Sequence, residues 1–136
     1  MSDAHYNTNL AAEFHVLSIL HRLGIDATLT IGNKKSVDIV VIKSEGQTVT
    51  VDVKGLAGKT SWPVDNVKTN RDSHILVFVC YLGKIAQTEI QPEVWVVPSR
   101  EIDKLTYVSP KGRRVVQLST LRRNAKDLKN AWDLLS

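Results

Sequence analysis

Val49-Thr50-Val51-Asp52-Val53-Lys54-Gly55 is the stretch from which the rest of the chain can be read. Side chains of a strand alternate between faces, so Asp52 and Lys54 share one face while Val49, Val51 and Val53 point into the opposite layer. An acid and a lysine side by side on a sheet flanked by apolar layers are costly to dehydrate, which raises a functional question. The tripeptide alone is weak: 14 acids and 11 lysines in 136 residues give roughly one acid-x-lysine match by chance. A second match, Asp127-Leu128-Lys129, falls on an expected helix, where positions i and i+2 diverge by about 200° and cannot form the same site.

The context is Asp38, in Ser36-Val37-Asp38-Ile39-Val40-Val41-Ile42. This stretch reads as the preceding strand, with Val37, Ile39 and Val41 on one face and Asp38, Val40 and Ile42 on the other. Register decides whether the two acids meet, because a slip of one residue moves a side chain to the other face. A two-residue loop at Glu45-Gly46 would pair 38 with 53 and part them. A three-residue loop, Ser44-Glu45-Gly46 with Gly46 left-handed, pairs 43 with 47 and therefore 38 with 52. Gly46 stands where the second register needs it, so Asp38 is expected opposite Asp52.

Working outward, a helix is expected over about Thr8–Arg22. Leu10, Phe14, Leu17 and Leu20, with Ala11 and Val16, fall at helical spacing; Thr8 or Asn9 caps the start and Gly24 supplies the stop. Strands follow at about Asp26–Ile31, Val37–Lys43 and Thr48–Lys54. The polar stretch 55–73 leaves room for a short helix near Val64–Thr69. His74–Leu82 is the most apolar strand and is expected near the centre of the sheet. Glu93–Val97, a helical stretch around Arg100–Leu105 and a strand around Arg113–Leu118 come next. A closing helix over about Thr120–Leu135 carries Leu121, Ala125, Leu128, Trp132 and Leu135 as one stripe, which packs on the sheet or forms a homodimer seam. The order is that of an α/β domain: a mixed central sheet flanked by helices, with a C-terminal amphipathic helix.

With Asp38 opposite Asp52, two carboxylates converge beside an ammonium. Close carboxylates repel, so one is protonated or they share a cation. Carboxylate oxygens suit Mg²⁺ or Mn²⁺, which polarise a phosphodiester and lower the pKa of a bound water. Lys54 would hold the attacking water or stabilise the charge that develops. Glu13, mid-helix and one turn before Leu17, reaches the same ion from the side if its helix packs over the strands. A plainer alternative makes Asp52 and Lys54 a surface ion pair worth about 0–1 kcal/mol.

The order of a helix with Glu13, a strand, a strand with Asp38 and a strand with Asp52-Val53-Lys54 resembles the PD-(D/E)XK nuclease superfamily. The resemblance covers roughly residues 8–82, and in size the archaeal-type Holliday-junction resolvases are the nearest members. It implies a restriction-endonuclease-like αβββαβ core and a metal-dependent endonuclease. It also implies metal binding by Asp38, Asp52, Glu13 and the Val53 carbonyl, with Lys54 assisting the nucleophile. Val37 stands where the family name has proline, and the crossover after Lys54 is short and broken by Pro63. A catalytically inactive member that binds nucleic acid or serves in assembly is the alternative.

Other features bound the reading. The chain is one domain's length, 1–136, with 43% hydrophobic and 24% charged residues, which excludes wholesale disorder. No apolar run approaches the roughly 20 residues of a membrane helix. The polar start Met1–Asn9 has no secretory pattern, and the single Cys80 fits a buried thiol in a reducing cytoplasm. Val53–Thr60 nearly fits a phosphate loop but lacks its first glycine and an evident helix behind it. The net charge of +4 permits an acidic partner. Lys34 and Lys35 before Asp38, and Lys59 after Lys54, lie at the same end of the sheet as the acids, where phosphates of a nucleic acid, DNA foremost, would find them. Trp62 is read as an aromatic near the site that stacks on a base or caps the sheet edge.

Overall fold

A computed structural model describes residues 4–30, 38–67 and 69–136. Helix α1 (Ala4–Arg22) is followed by β1 (Asp26–Leu29), β2 (Ile39–Ile42), β3 (Thr48–Leu56), β4 (Ser61–Pro63), β5 (His74–Cys80) and β6 (Glu93–Pro98). One 3₁₀ turn (Ser99–Glu101) leads into α2 (Ile102–Leu105), β7 (Thr106–Val108), β8 (Arg114–Gln117) and α3 (Leu118–Asn124). Two further 3₁₀ turns, Lys126–Leu128 and Trp132–Leu135, complete the order.

The main sheet runs β1-β2-β3-β5-β6, and a smaller sheet runs β4-β8-β7. In the main sheet β1, β2 and β3 form an antiparallel meander, β3 and β5 are parallel, and β5 and β6 are antiparallel. All seven residues of β5 are buried, as an interior strand covered on both faces requires. Ile75, Val77 and Val79 join Val49, Val51 and Val53 in a core closed by Ala12, Val16 and Leu20 of α1. Leu76, Phe78 and Cys80 face a second core with Trp62, Trp95, Ile102 and Leu121, built from the small sheet and the later helices. Among the described residues no helix is long and apolar enough to cross a membrane.

The β2–β3 register is the one the three-residue loop dictates. Lys43 N donates to Gln47 O at 2.8 Å, Gly46 takes φ +101°, and the pairs run from Ile42 with Thr48 to Ile39 with Val51. Helix α1 starts four residues before Thr8, so neither Thr8 nor Asn9 caps it. Its buried face is Thr8, Ala12, Val16 and Leu20, and Phe14 is 52% exposed rather than packed. Small residues won that face because α1 lies close on β3: a Cβ at Gly55 would come within 2.9 Å of Thr8 O and 3.1 Å of Ala12 Cβ. Gly55→Ala is therefore expected to push α1 off the strand and lower stability by about 1–3 kcal/mol, measured by urea unfolding.

Two other expectations are corrected. No helix forms near Val64–Thr69 in the described residues: Pro63 ends β4, and Val64 N donates to Arg114 O, which ties the crossover to β8. The closing helix is not continuous either. It stops at Asn124, Ala125 adopts φ −133°, and Lys129 pairs with Trp95 across the β6 edge. Asn130 then turns with φ +55° and donates its N–H to Val94 O. The break carries the stripe around the sheet edge, so Leu121 and Ala125 fill the second core and Leu135 the first. None of the three is left for a homodimer seam.

Candidate functional site

The site forms because β3 outlasts β2. Past Val51 no strand among the described residues pairs with the β2-side edge of β3, and two side chains bond its N–H groups. Asp38 Oδ2 accepts the Val53 N–H at 2.7 Å, and Asn9 Oδ1 accepts the Gly55 N–H at 3.3 Å. The Asp38 backbone N–H donates back to Val51 O at 2.9 Å, which fixes the carboxylate's root. Backbone N–H and C=O of one strand residue point the same way, so the Val53 carbonyl faces this edge too.

Three acids meet there. Glu13 follows Ala12, whose methyl packs on Gly55, and this contact carries its carboxyl to Asp38. Burial pushes Glu13 up to about 7, helped by the Asp38 charge and a hydrogen bond to the Asp38 side chain. Asp52 is only 5% exposed. Burial also lifts it to about 7; the Lys54 ammonium opposes the rise, while the charges of Asp38 and Glu13 and a hydrogen bond to Asp38 add to it. Lys54 Nζ lies 4.0 Å from Asp52 Oδ2, with its side chain 28% exposed. Two carboxyls held near neutrality by burial and by a third mark a surplus of negative charge.

Among the described residues no group of three or more His, Cys, Asp or Glu is arranged to hold a metal ion as it stands. The donor set itself, hard anionic oxygens from three elements plus a backbone carbonyl, suits Mg²⁺ or Mn²⁺ in kind.

Glu13, Asp38, Asp52 and Lys54 thus come together as expected, with the Val53 carbonyl on the same edge. Lys59 is exposed on the loop after β3. Lys34 and Lys35 lie outside the described residues. Trp62 does not offer a ring for stacking: it is fully buried, edge-on to Phe78 and Trp95, and its Nε1–H donates to Val79 O at 3.3 Å. Between two sheets, the largest side chain of β4 goes to the core. The contribution of Asn9 was not legible beforehand, because its partner Gly55 is 46 residues away and a lone Asn near a helix start reads as a cap.

No protein-family model matches the chain, and no curated protein does. Among solved structures, that of a bacterial homing endonuclease, I-Ssp6803I, matches with a TM-score of 0.59 at 18% identity, over 95% of this chain and 90% of that one. The likeness is one of fold. The α/β class expected from the sequence, a mixed sheet of restriction-endonuclease-like architecture, is the fold observed.

Proposed function

We propose that this chain is a Mg²⁺- or Mn²⁺-dependent phosphodiesterase that cleaves nucleic acid internally, DNA foremost. The observation that carries the reading is the convergence of Glu13, Asp38 and Asp52 beside the Lys54 ammonium. Sharing a fold with a homing endonuclease supports it.

Asp38 and Asp52 would hold the cation, with the Val53 carbonyl and Glu13 completing the set. A dication bound there would polarise the phosphodiester and neutralise charge on the leaving oxygen. The chain's own groups supply the rest. The Val53 N–H fixes one Asp38 oxygen and leaves the other for the site. Asp52, only 5% exposed, is kept from bulk water, so its charge acts at short range in a poor dielectric. Lys54, anchored by its part-covered stem, reaches the solvent side, where it orients a water or meets the charge gathering on phosphorus. Lys59, exposed beyond it, would contact a neighbouring phosphate, and binding would weaken with salt.

Lys54→Met keeps the stem and removes the ammonium. It is expected to lower kcat by about 10²–10³-fold with little change in KM, measured on plasmid and oligonucleotide DNA with Mn²⁺. That no group of three or more His, Cys, Asp or Glu among the described residues is arranged to hold a metal ion favours a second reading, an inactive member that binds nucleic acid. Cleavage by the wild type at any Mn²⁺ concentration, abolished by chelation, rules that reading out; salt-sensitive binding with no cleavage under any metal sinks the first.

A further inference from the structure

A cleft of about 440 Å³ opens beside Lys54, between the end of β3 and the small sheet. Lys54, Arg113 and Asp65 are its charged lining residues. Asp65 takes the Nε edge of Arg113 at 2.8 Å and the Arg114 backbone N–H at 2.7 Å, which leaves the Nη edge of the guanidinium for an anion. Leu56, Ala57 and Pro63 give apolar wall, while Asn9 and Asn66 bring amides. Asn9 spends its Oδ1 on Gly55, so its Nδ2 remains to donate. Trp62 lies under the floor but presents no surface.

We infer that this cleft receives one unpaired nucleotide next to the phosphate at Lys54, so that the substrate is a strand carrying a bulged, flipped or single-stranded base. The inference rests on the proposed function and deepens it. The volume falls in the range of about 300–1,000 Å³ usual for small-ligand sites, the scale of a single nucleotide. A base inside a duplex shows proteins only its groove edges, so it cannot lay a face against Leu56 and Pro63; an extruded one can. Lys54 and Arg113 both line the cleft, so it offers two cationic groups to the phosphates of a nucleotide. The Asn9 and Asn66 amides in the same lining suit the hydrogen-bonding edge of a base.

The test uses the full chain, without divalent metal and with chelator, and DNA duplexes carrying 2-aminopurine either unpaired in a one-nucleotide bulge or paired. The bulged duplex is expected to bind about 10-fold tighter, with a changed 2-aminopurine emission. In Arg113→Gln/Asn66→Ala that preference should fall to about one, whereas Lys111→Gln, outside the cleft, should retain it. Both cleft positions are exposed, and circular dichroism confirms folding of each variant. Equal affinity for the two duplexes, or a preference that survives the double substitution, overturns the inference. Because nothing is cleaved in this assay, its outcome is independent of whether the acidic site is an active nuclease.

Discussion

Asp52→Asn is expected to abolish cleavage and at the same time to stabilise the protein at alkaline pH. Loss of a carboxylate ligand should lower kcat/KM on the order of 10³-fold or more. The stability gain follows from proton linkage. The Asp52 carboxyl rises from 3.8 to about 7 on folding, mainly through burial, and Glu13 rises from 4.5 to about 7 for the same first reason. A group raised in this way supports the fold fully below its unfolded value, and that support is lost as pH climbs through the folded value. Wild-type stability without metal should therefore decline between about pH 4 and pH 7 and level off above. Asparagine has the same shape, still donates to Asp38 and carries no charge, so the variant's decline is shallower. At pH 8 it should be more stable by roughly 1–2 kcal/mol, the full linkage being reduced by water at the open side of the site. Thermal unfolding at pH 5 and pH 8 with chelator measures this, and a variant less stable than wild type at both pH values contradicts the picture of crowded acids.

Trp62→Ala should have the largest effect on the fold. The indole is fully buried, its ring centroid 5.1 Å from that of Phe78 and 6.5 Å from that of Trp95. Truncation leaves a cavity in the second core, at a cost of about 3–5 kcal/mol. Against a total of about 5–15 kcal/mol, that is enough to disorder the second core and with it the small sheet that walls the cleft. Trp62→Phe keeps a ring and should lose less. Folded Trp62→Phe should bind DNA as the wild type does in a salt titration, because the side chain faces the interior; a specific loss of affinity would instead place the ring against a base.

How the sequence maps onto this structure depends on the range of the interactions involved. Local rules suffice for the hairpin: the left-handed demand at Gly46 sets the loop, the loop sets the register, and the register brings Asp38 to Asp52. Gly24, at φ +74°, likewise ends α1 where expected. What local rules miss is decided by distant partners. The apolar pattern of α1 suggested Phe14 as core, but the close approach to Gly55 turned Ala12 and Thr8 inward. The closing stripe has helical spacing, yet pairing of Lys129 with Trp95 and of Asn130 with Val94 broke the helix. The short strands β4 and β7 have three residues each and become strands only through β8 between them. At the site, Glu13, Asp52 and Lys54 could be named from their order and alternation, whereas Asn9 and Arg113 acquire a place only when α1 and the small sheet are docked.

The most direct test of the acidic site is a Mn²⁺ titration at pH 8, followed by the electron paramagnetic resonance of the free ion, on wild type and Asp38→Asn. Asp38 is the side chain to which Glu13, Asp52 and the Val53 N–H all bond. Wild type should remove one ion per chain from solution, and Asp38→Asn should bind at least about 10-fold more weakly. Equal uptake by the two proteins, or none by the wild type, would contradict the assignment of these acids as a cation site.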